Sequence, residues 1–266
     1  MPDPLVLIDS PRPDVAALTL NRPHNRNALS AELLESICRS VDDVQSDPAT
    51  RVLILRGAGS VFCAGLDLKE SIKDSDAEGT ARLVARTLKT VYLARPVTIA
   101  AVQGAAAAGG AGLMSACDLV VAADDAKIGY PEVRRGLVAG LVMSFLYHQV
   151  GEGHARELAL LGEFVDARRA LDMGLVNRVV PAGQVMETAA HLALEVLKGG
   201  PNAVANTKQL ICDLPPRTID ELLEHALMHH MAARRSDEAK EGLAAFVEKR
   251  APKWEPGAVD GERGVG

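Results

Sequence analysis

Residues 97–116 read VTIAAVQGAAAAGGAGLMSA, and this stretch is the strongest guide to the architecture. It is about as long as a membrane span and carries no charge. Its glycines interrupt a helix, Gln103 is polar, and alanine gains little free energy in lipid, so we expect no membrane span here. The pattern instead predicts a buried strand over 97–102, a glycine turn and a helix of small residues packed closely against its neighbours.

Strands and helices alternate on both sides of this stretch. Before it, the apolar pattern predicts strands over 6–8, 15–20 and 51–56, a helix that Ser30 caps and that ends near 47–48, and a helix over 76–94. After it come the strands DLVVAA and AKIG, and from Gly140 onward the signals are helical apart from a strand over 176–180. We therefore predict an α/β core over 1–198 followed by a helical region over 199–266.

The composition describes an ordinary soluble globular protein and argues against several function classes. The 266 residues carry 29 basic and 35 acidic side chains, which gives a net charge of −6. We find no basic patch for nucleic acid or an acidic membrane, and 3% aromatic residues leave little for base stacking. Four widely spaced cysteines form no CxxC pair or Cys/His cluster, so we expect reduced thiols. With no signal segment at its start, the chain is expected in the cytoplasm.

Two glycine-rich loops invite a nucleotide-binding interpretation, which their spacing excludes. Gly57-Ala58-Gly59 lacks the third glycine of the dinucleotide fingerprint, since Phe62 stands there. Gly104-AAAA-Gly109 has the spacing of a phosphate-binding loop but is followed by Gly110-Ala111 rather than by Lys and Ser or Thr. Each loop follows a buried strand, and its small residues either turn backbone N–H groups toward a ligand or let a helix pack closely on a sheet. The residues alone leave both interpretations open.

Five motifs, in this order, resemble the crotonase (enoyl-CoA hydratase/isomerase) family. They are Asn21-Arg22-Pro23 continuing to Asn27-Ala28-Leu29, Phe62 to Glu70 (FCAGLDLKE), Val102 to Gly110 continuing to Cys117-Asp118, Tyr130-Pro131-Glu132, and the tail Gly242 to Arg250 (GLAAFVEKR). They cover nearly the whole chain at the family's spacing, whereas any one of them alone is a weak signal. The resemblance implies a spiral of ββα units with a C-terminal helical trimerisation region, assembled as a homotrimer or homohexamer, that binds acyl-CoA thioesters.

The resemblance also implies an oxyanion hole made of two main-chain N–H groups, which by motif position belong to Leu66 and Gly109. Removing a proton from the acyl chain, or adding a nucleophile to an enoyl thioester, drives negative charge onto the thioester oxygen. Each preorganised donor stabilises such charge by about 3 kcal/mol in related acyl-transfer sites. The family usually has a smaller residue than Leu66, and a main-chain donor survives that change while the pocket narrows.

One catalytic carboxylate matches the family and another is missing. Glu132 follows Tyr130-Pro131 at the position of one family glutamate, whereas Gly112 stands at the position of the other. Hydration benefits from both, since losing an acid–base partner costs about 10²–10⁴-fold, but a 1,3-proton shift needs only one. We therefore expect an isomerase that converts 3-enoyl-CoA to 2-enoyl-CoA through Glu132. The alternatives are a hydratase of modest rate and a non-catalytic acyl-CoA binding protein. Without the resemblance, Glu132 would be interpreted as a solvated or ion-paired carboxylate near Arg134 and Arg135.

Contacts with coenzyme A are implied at further matched positions. Coenzyme A enters as part of the substrate, and we expect no tightly bound cofactor. The resemblance assigns its contacts to His24, Arg26, Ala64, Lys69, Phe246 and Lys249. Lys249, beside Phe246, matches a position that reaches the nucleotide of a neighbouring subunit. Lysine acts toward phosphate as a point charge, and the alternative for each cation is simple solvation at a helix end.

A predicted C-terminal helix carries apolar residues on more than one narrow stripe, at Leu222, Leu223, Ala226, Leu227 and Met231. Apolar surface on two sides of a helix favours burial by a partner subunit, with full burial inside one chain as the alternative. His225, His229 and His230 on the same helix lack the carboxylate of a zinc motif, so we expect a surface or subunit-contact role and no metal.

Overall fold

The computed structural model describes residues 3–67, 70, 76–213 and 236–254. The chain divides into two compact units, Met1–His191 and Leu192–Gly266. The strands of the described residues are β1 Val6–Arg12, β2 Val15–Leu20, β3 Val52–Gly57, β4 Val97–Val102, β5 Ala105–Ala107, β6 Leu119–Ala123, β7 Lys127–Gly129, β8 Phe164–Asp166 and β9 Arg178–Val180. The helices are α1 Ala31–Ser46, α2 Ala77–Tyr92, α3 Gly109–Ser115, α4 Gly140–Leu161, α5 Ala167–Asp172, α6 Val185–Leu197, α7 Pro201–Cys212 and α8 Asp237–Glu248. Three short 3₁₀ helices span Pro23–Asn25, Pro131–Arg135 and Ala182–Gln184.

A six-stranded sheet forms the core of the first unit, in the order β1-β2-β3-β4-β6-β9. β1 runs antiparallel to β2, and the remaining neighbours are parallel. Every residue of β2 and β4 is buried. A parallel strand covered on both faces is apolar along its whole length, which is why these segments read as continuous apolar runs rather than alternating ones. The predicted mixed α/β fold is confirmed.

The first two long helices begin as their sequences predict. Ser30 Oγ accepts a hydrogen bond of 3.2 Å from the Leu33 N–H and caps α1. Asp76 Oδ1 does the same for α2, at 2.9 Å from the Gly79 nitrogen. Each cap satisfies an N–H group that has no acceptor inside its helix, and the predicted helix starts are confirmed within a residue.

A small second sheet, in the order β5-β7-β8, was predicted incompletely. The sequence pattern predicts β7, but it places β5 in a glycine loop and predicts helices around β8. The last two predictions are wrong, because both segments are strands. These strands have three residues each, too few to show a period of two, and they are held by pairing with β7. The strand predicted over 176–180 is shorter than expected and spans Arg178–Val180.

The second unit is helical where it is described. Glu238, in α8, accepts hydrogen bonds from the N–H groups of Asn202 and Ala203 at 2.8 and 2.6 Å, and so caps the start of α7. Trp254 donates to the carbonyl of Lys198 at 3.0 Å. The apolar helix predicted over 222–231 lies outside the described residues, so its role in subunit contact stays a prediction.

Candidate active site

Three loops meet where the small sheet ends. β5 and β7 are parallel neighbours, and Cys63 forms a parallel bridge with Ala106 on the other side of β5. The carboxyl ends of parallel strands lie at the same edge of a sheet, so the residues that follow each segment come together there. Those residues are Leu66, Gly109 and Glu132, and all three line one cavity. The three predicted catalytic positions, far apart in sequence, are therefore neighbours in the fold.

The N–H groups of Leu66 and Gly109 are close together, and no described residue accepts a hydrogen bond from either. A Cβ atom built on Gly109 would lie 3.8 Å from the Leu66 nitrogen. Leu29 bonds the residues on either side of Leu66, since its N–H donates to Gly65 and its carbonyl accepts from Asp67. Gly109 opens α3, where N–H groups have no intrahelical acceptor. Among the described residues neither N–H group has a hydrogen-bond partner.

Two unusual backbone conformations shape this pair of donors. Gly65 has φ of +89°, and a Cβ there would lie 2.7 Å from the Ala107 carbonyl oxygen, so only glycine fits. Ala108 has φ of 48° and ψ of −123°, a conformation that costs a non-glycine residue about 1–3 kcal/mol. Its N–H donates to the Gly129 carbonyl at 2.9 Å, which ties the turn before Gly109 to β7. Strain held in place by surrounding bonds is typical of a functional site.

Asn27 holds the first loop, a role that the sequence analysis missed. The side chain is fully buried, and its amide nitrogen donates to the carbonyls of Ala58, Val61 and Phe62 at 2.9, 2.9 and 3.1 Å. Its side-chain oxygen accepts from the N–H of Arg22 at 2.9 Å. A buried polar side chain normally has its hydrogen bonds satisfied. Here the hydrogen bonds of Asn27 fix the turn that leads to Leu66. The available signal was Asn27 itself, which the motif Asn21-Arg22-Pro23 continuing to Asn27-Ala28-Leu29 already contains.

Glu132 is half-buried and supplies one buried carboxylate oxygen that has no partner among the described residues. It lies in the 3₁₀ helix Pro131–Arg135, and its Oε2 atom is buried with no hydrogen bond to any residue that the structure describes. Burial raises the pKa of Glu132. A hydrogen bond from its own backbone N–H and the charge of Arg135 both act to lower that pKa, but burial has the larger effect. Of the two neighbouring arginines, Arg134 pairs with Glu163 at 3.2 Å instead of Glu132, whereas the charge of Arg135 acts on Glu132. A carboxylate in this state is suited to take a proton from a bound molecule.

Tyr130 anchors the segment that carries Glu132. The ring is fully buried, and its hydroxyl shares a 2.7 Å hydrogen bond with the hydroxyl of Ser115, at the end of α3. Burial raises the pKa of Tyr130, so the phenol stays protonated. The bond thus links the helix that follows the second glycine loop to the start of the 3₁₀ helix.

The position of the missing carboxylate is filled by another helix. A Cβ built on Gly112 would lie 2.3 Å from Cγ1 of Val142 in α4 and 3.6 Å from Cδ1 of Leu88 in α2. The smallest side chain therefore clashes, and a glutamate is excluded unless α4 moves. The space into which that glutamate would project belongs to Val142, which lines the cavity itself.

The cavity has a volume of about 420 Å³ and is mostly apolar. Its apolar lining comes from the loops, α2 and the start of α4, including Leu29, Val84, Leu137, Val138, Leu141 and Val142. Of the described residues that line it, Glu132 and Arg135 are the charged ones. Such a lining suits a hydrocarbon chain, with polar chemistry confined to the two free N–H groups and the carboxylate.

The predicted coenzyme A contacts are distributed unevenly. Ala64 lines the cavity. His24 and Arg26 are exposed on and after the first 3₁₀ helix and do not line it. Lys69 lies outside the described residues, and the side chain of Phe246 is not described. Lys249 is exposed after α8 in the second unit. These assignments stay predictions.

The described part of the chain holds no group of three or more His, Cys, Asp or Glu side chains placed to bind a metal ion. None of its helices has the length and apolar character needed to cross a bilayer. His225, His229 and His230 lie outside the described residues.

Comparison with known proteins gives one consistent result. The family model for enoyl-CoA hydratase/isomerase matches residues 12–257. A putative enoyl-CoA hydratase of Thermus thermophilus is 42% identical over 245 residues, covering 90% of this chain and 97% of that protein. An enoyl-CoA hydratase of Mycobacterium tuberculosis is 38% identical over 248 residues, covering 90% and 92%. The crystal structure of a Mycobacterium smegmatis enoyl-CoA hydratase superimposes with a TM-score of 0.90 at 33% identity, covering 95% of this chain and 99% of the other.

Proposed function

This chain belongs to the enoyl-CoA hydratase/isomerase family, and we propose that it adds water to a 2-enoyl-CoA thioester with Glu132 as its acid–base residue. The observation that carries the proposal is the shared cavity. Two backbone N–H groups, at Leu66 and Gly109, and one buried carboxylate oxygen of Glu132 line the same apolar space, and none of the three has a partner in the described part of the chain. Two N–H donors beside a carboxylate suit a reaction that creates an oxyanion and transfers a proton within the same cavity.

The two donors would receive the thioester oxygen. Water adds to C3 of the enoyl group as Glu132 takes one of its protons, and the electron pair of the C2–C3 double bond moves toward the thioester oxygen. The resulting enolate is stabilised by the N–H groups of Leu66 and Gly109. Protonated Glu132 then returns the proton to C2, which gives a 3-hydroxyacyl thioester and restores the carboxylate. One carboxylate therefore suffices, because it acts first as base and then as acid.

The names of the relatives favour hydration over the isomerisation that the sequence analysis placed first. The two relatives and the solved structure described above are all named enoyl-CoA hydratases. Isomerisation stays the second candidate because of one observation. Gly112 has no room for a side chain, so the site has a single carboxylate among the described residues that line the cavity, and a 1,3-proton shift needs only one.

One experiment separates the candidates. The protein is incubated with a 2-enoyl-CoA and, separately, with the matching 3-enoyl-CoA, and products are followed by mass and by double-bond position. Water addition to the 2-enoyl thioester supports the proposal. Conversion of 3-enoyl to 2-enoyl thioester without a hydrated product supports isomerisation instead. Tight binding of both thioesters with no turnover would mean a non-catalytic acyl-CoA binding protein.

A further inference from the structure

The 3₁₀ helix Pro131–Arg135 directs two charged side chains to the cavity. A 3₁₀ helix has three residues per turn, so residues three apart lie on the same side. Glu132 and Arg135 both line the cavity, whereas Val133 and Arg134 between them do not. The axial rise between Glu132 and Arg135 is about 6 Å, so the two side chains reach the cavity from positions one turn apart.

Arg135 has hydrogen-bonding capacity that the described residues leave largely unused. Its Nη1 atom donates to the Pro131 carbonyl at 3.2 Å, and a guanidinium has five N–H donors. Throughout the described ranges, no carboxylate forms an ion pair with Arg135. Arg134 differs in each respect, since it bonds Glu163 at 3.2 Å and the Leu161 carbonyl at 3.0 Å and lies away from the cavity.

A filled cavity would change the surroundings of Arg135. The side chain is exposed in the free protein, so water solvates its charge. An acyl group that enters the cavity displaces part of that water. If the acyl group is apolar, it forms no hydrogen bond with the guanidinium to replace those that the water made. A carboxylate on the acyl group replaces the lost water with charge-assisted hydrogen bonds in the planar geometry that arginine favours.

We propose that Arg135 selects acyl-CoA substrates whose acyl group carries a second, distal carboxylate. This inference rests on the proposed function in that the cavity holds the acyl group of a thioester. The substrate class is then a short enoyl thioester of a dicarboxylic acid, with Glu132 acting at its double bond and Arg135 holding its far end. An anionic oxygen could also come from a phosphate of coenzyme A, and the test separates the two sources.

Binding is measured by calorimetry with saturated thioesters, which need no turnover. Glutaryl-CoA and pentanoyl-CoA have acyl chains of equal length and differ at the far end. We expect the wild-type protein to bind glutaryl-CoA more tightly by on the order of 10- to 100-fold, the range for a hydrogen-bonded charge pair. Arg135→Met should remove this preference. Arg134→Met, its matched control, should keep it.

The same six measurements are repeated with N-acetylcysteamine thioesters, which lack the phosphates. A preference for the glutaryl group that persists there, and that Arg135→Met abolishes, supports a carboxylate on the acyl group. Equal affinities in the wild-type protein, or a preference that survives Arg135→Met, would overturn the inference. Weaker binding of both CoA thioesters to Arg135→Met, with the truncated thioesters unaffected, would assign Arg135 to a phosphate and also overturn it. Selective binding without hydration would refute the proposed function alone.

Discussion

Replacing Glu132 by glutamine should stop turnover and leave acyl-CoA binding nearly unchanged. Glutamine has the shape of glutamate, so the cavity and the two N–H donors at Leu66 and Gly109 are preserved. What is lost is the group that takes and returns the proton. No second carboxylate among the described cavity residues can replace it, since Gly112 cannot carry one beside Val142.

The size of the effect follows from that geometry. Loss of a positioned acid–base residue lowers the rate by about 10²–10⁴-fold. This corresponds to a rise in the activation barrier of about 2.7–5.4 kcal/mol. We expect the upper end, because one residue performs both proton transfers in the proposed mechanism. Binding should change by less than about tenfold, since Glu132 is not the group that holds the thioester oxygen.

The assay compares Glu132→Gln with Glu163→Gln. Glu163 is an exposed glutamate whose side chain pairs with Arg134, and an exposed ion pair contributes about 0–1 kcal/mol to stability. Turnover is followed by loss of the conjugated enoyl thioester, and affinity for a saturated acyl-CoA by calorimetry. Glu163→Gln should match the wild-type protein in both. Turnover of Glu132→Gln within tenfold of the wild-type value would refute the assignment of the base.

Five other predictions follow, four from the same site and one from the family. Gly109→Pro removes one oxyanion donor and also disfavours the backbone conformation of Ala108 before it, so kcat should fall by about 10²–10³-fold or more, while Gly109→Ala keeps the N–H and should cost far less in a steady-state assay. Gly112→Ala should lower the free energy of urea unfolding by about 1–3 kcal/mol because its Cβ meets Val142, and Val142→Ala in the same chain should recover part of the loss. Because burial raises the pKa of Glu132, kcat/KM should fall on acidification at a pH above the ordinary range for glutamate. Arg135→Met should move that fall to still higher pH, since its charge lowers the pKa, and an unmoved profile would contradict this coupling. Light scattering should give a mass of three or six chains, whereas a monomer with full acyl-CoA affinity would contradict the assembly expected from the family.

Much of the site could be predicted because its parts are local. The cap at Ser30, the buried strands and the glycine loops each depend on a few adjacent residues whose propensities and spacing are visible in one segment. The ordered motifs also placed Leu66, Gly109 and Glu132 at positions that the fold brings to one cavity. The three-residue strands were predicted poorly, because a strand this short shows no pattern of its own. β8, for example, is held in place by its pairing with β7.

What the sequence by itself determined was therefore the α/β class, the family and three motif positions that line the cavity, Leu66, Gly109 and Glu132. Only the tertiary structure decided how those residues meet. Gly112 is closed to a side chain because Val142 packs on it from a helix that is distant in the chain. Arg135 lines the cavity while Arg134 pairs with Glu163, although the two arginines are equivalent in the sequence. The reason is physical: propensities and caps act over one or two turns, whereas the space and the charge partners that a side chain finds are set by segments that become neighbours only on folding.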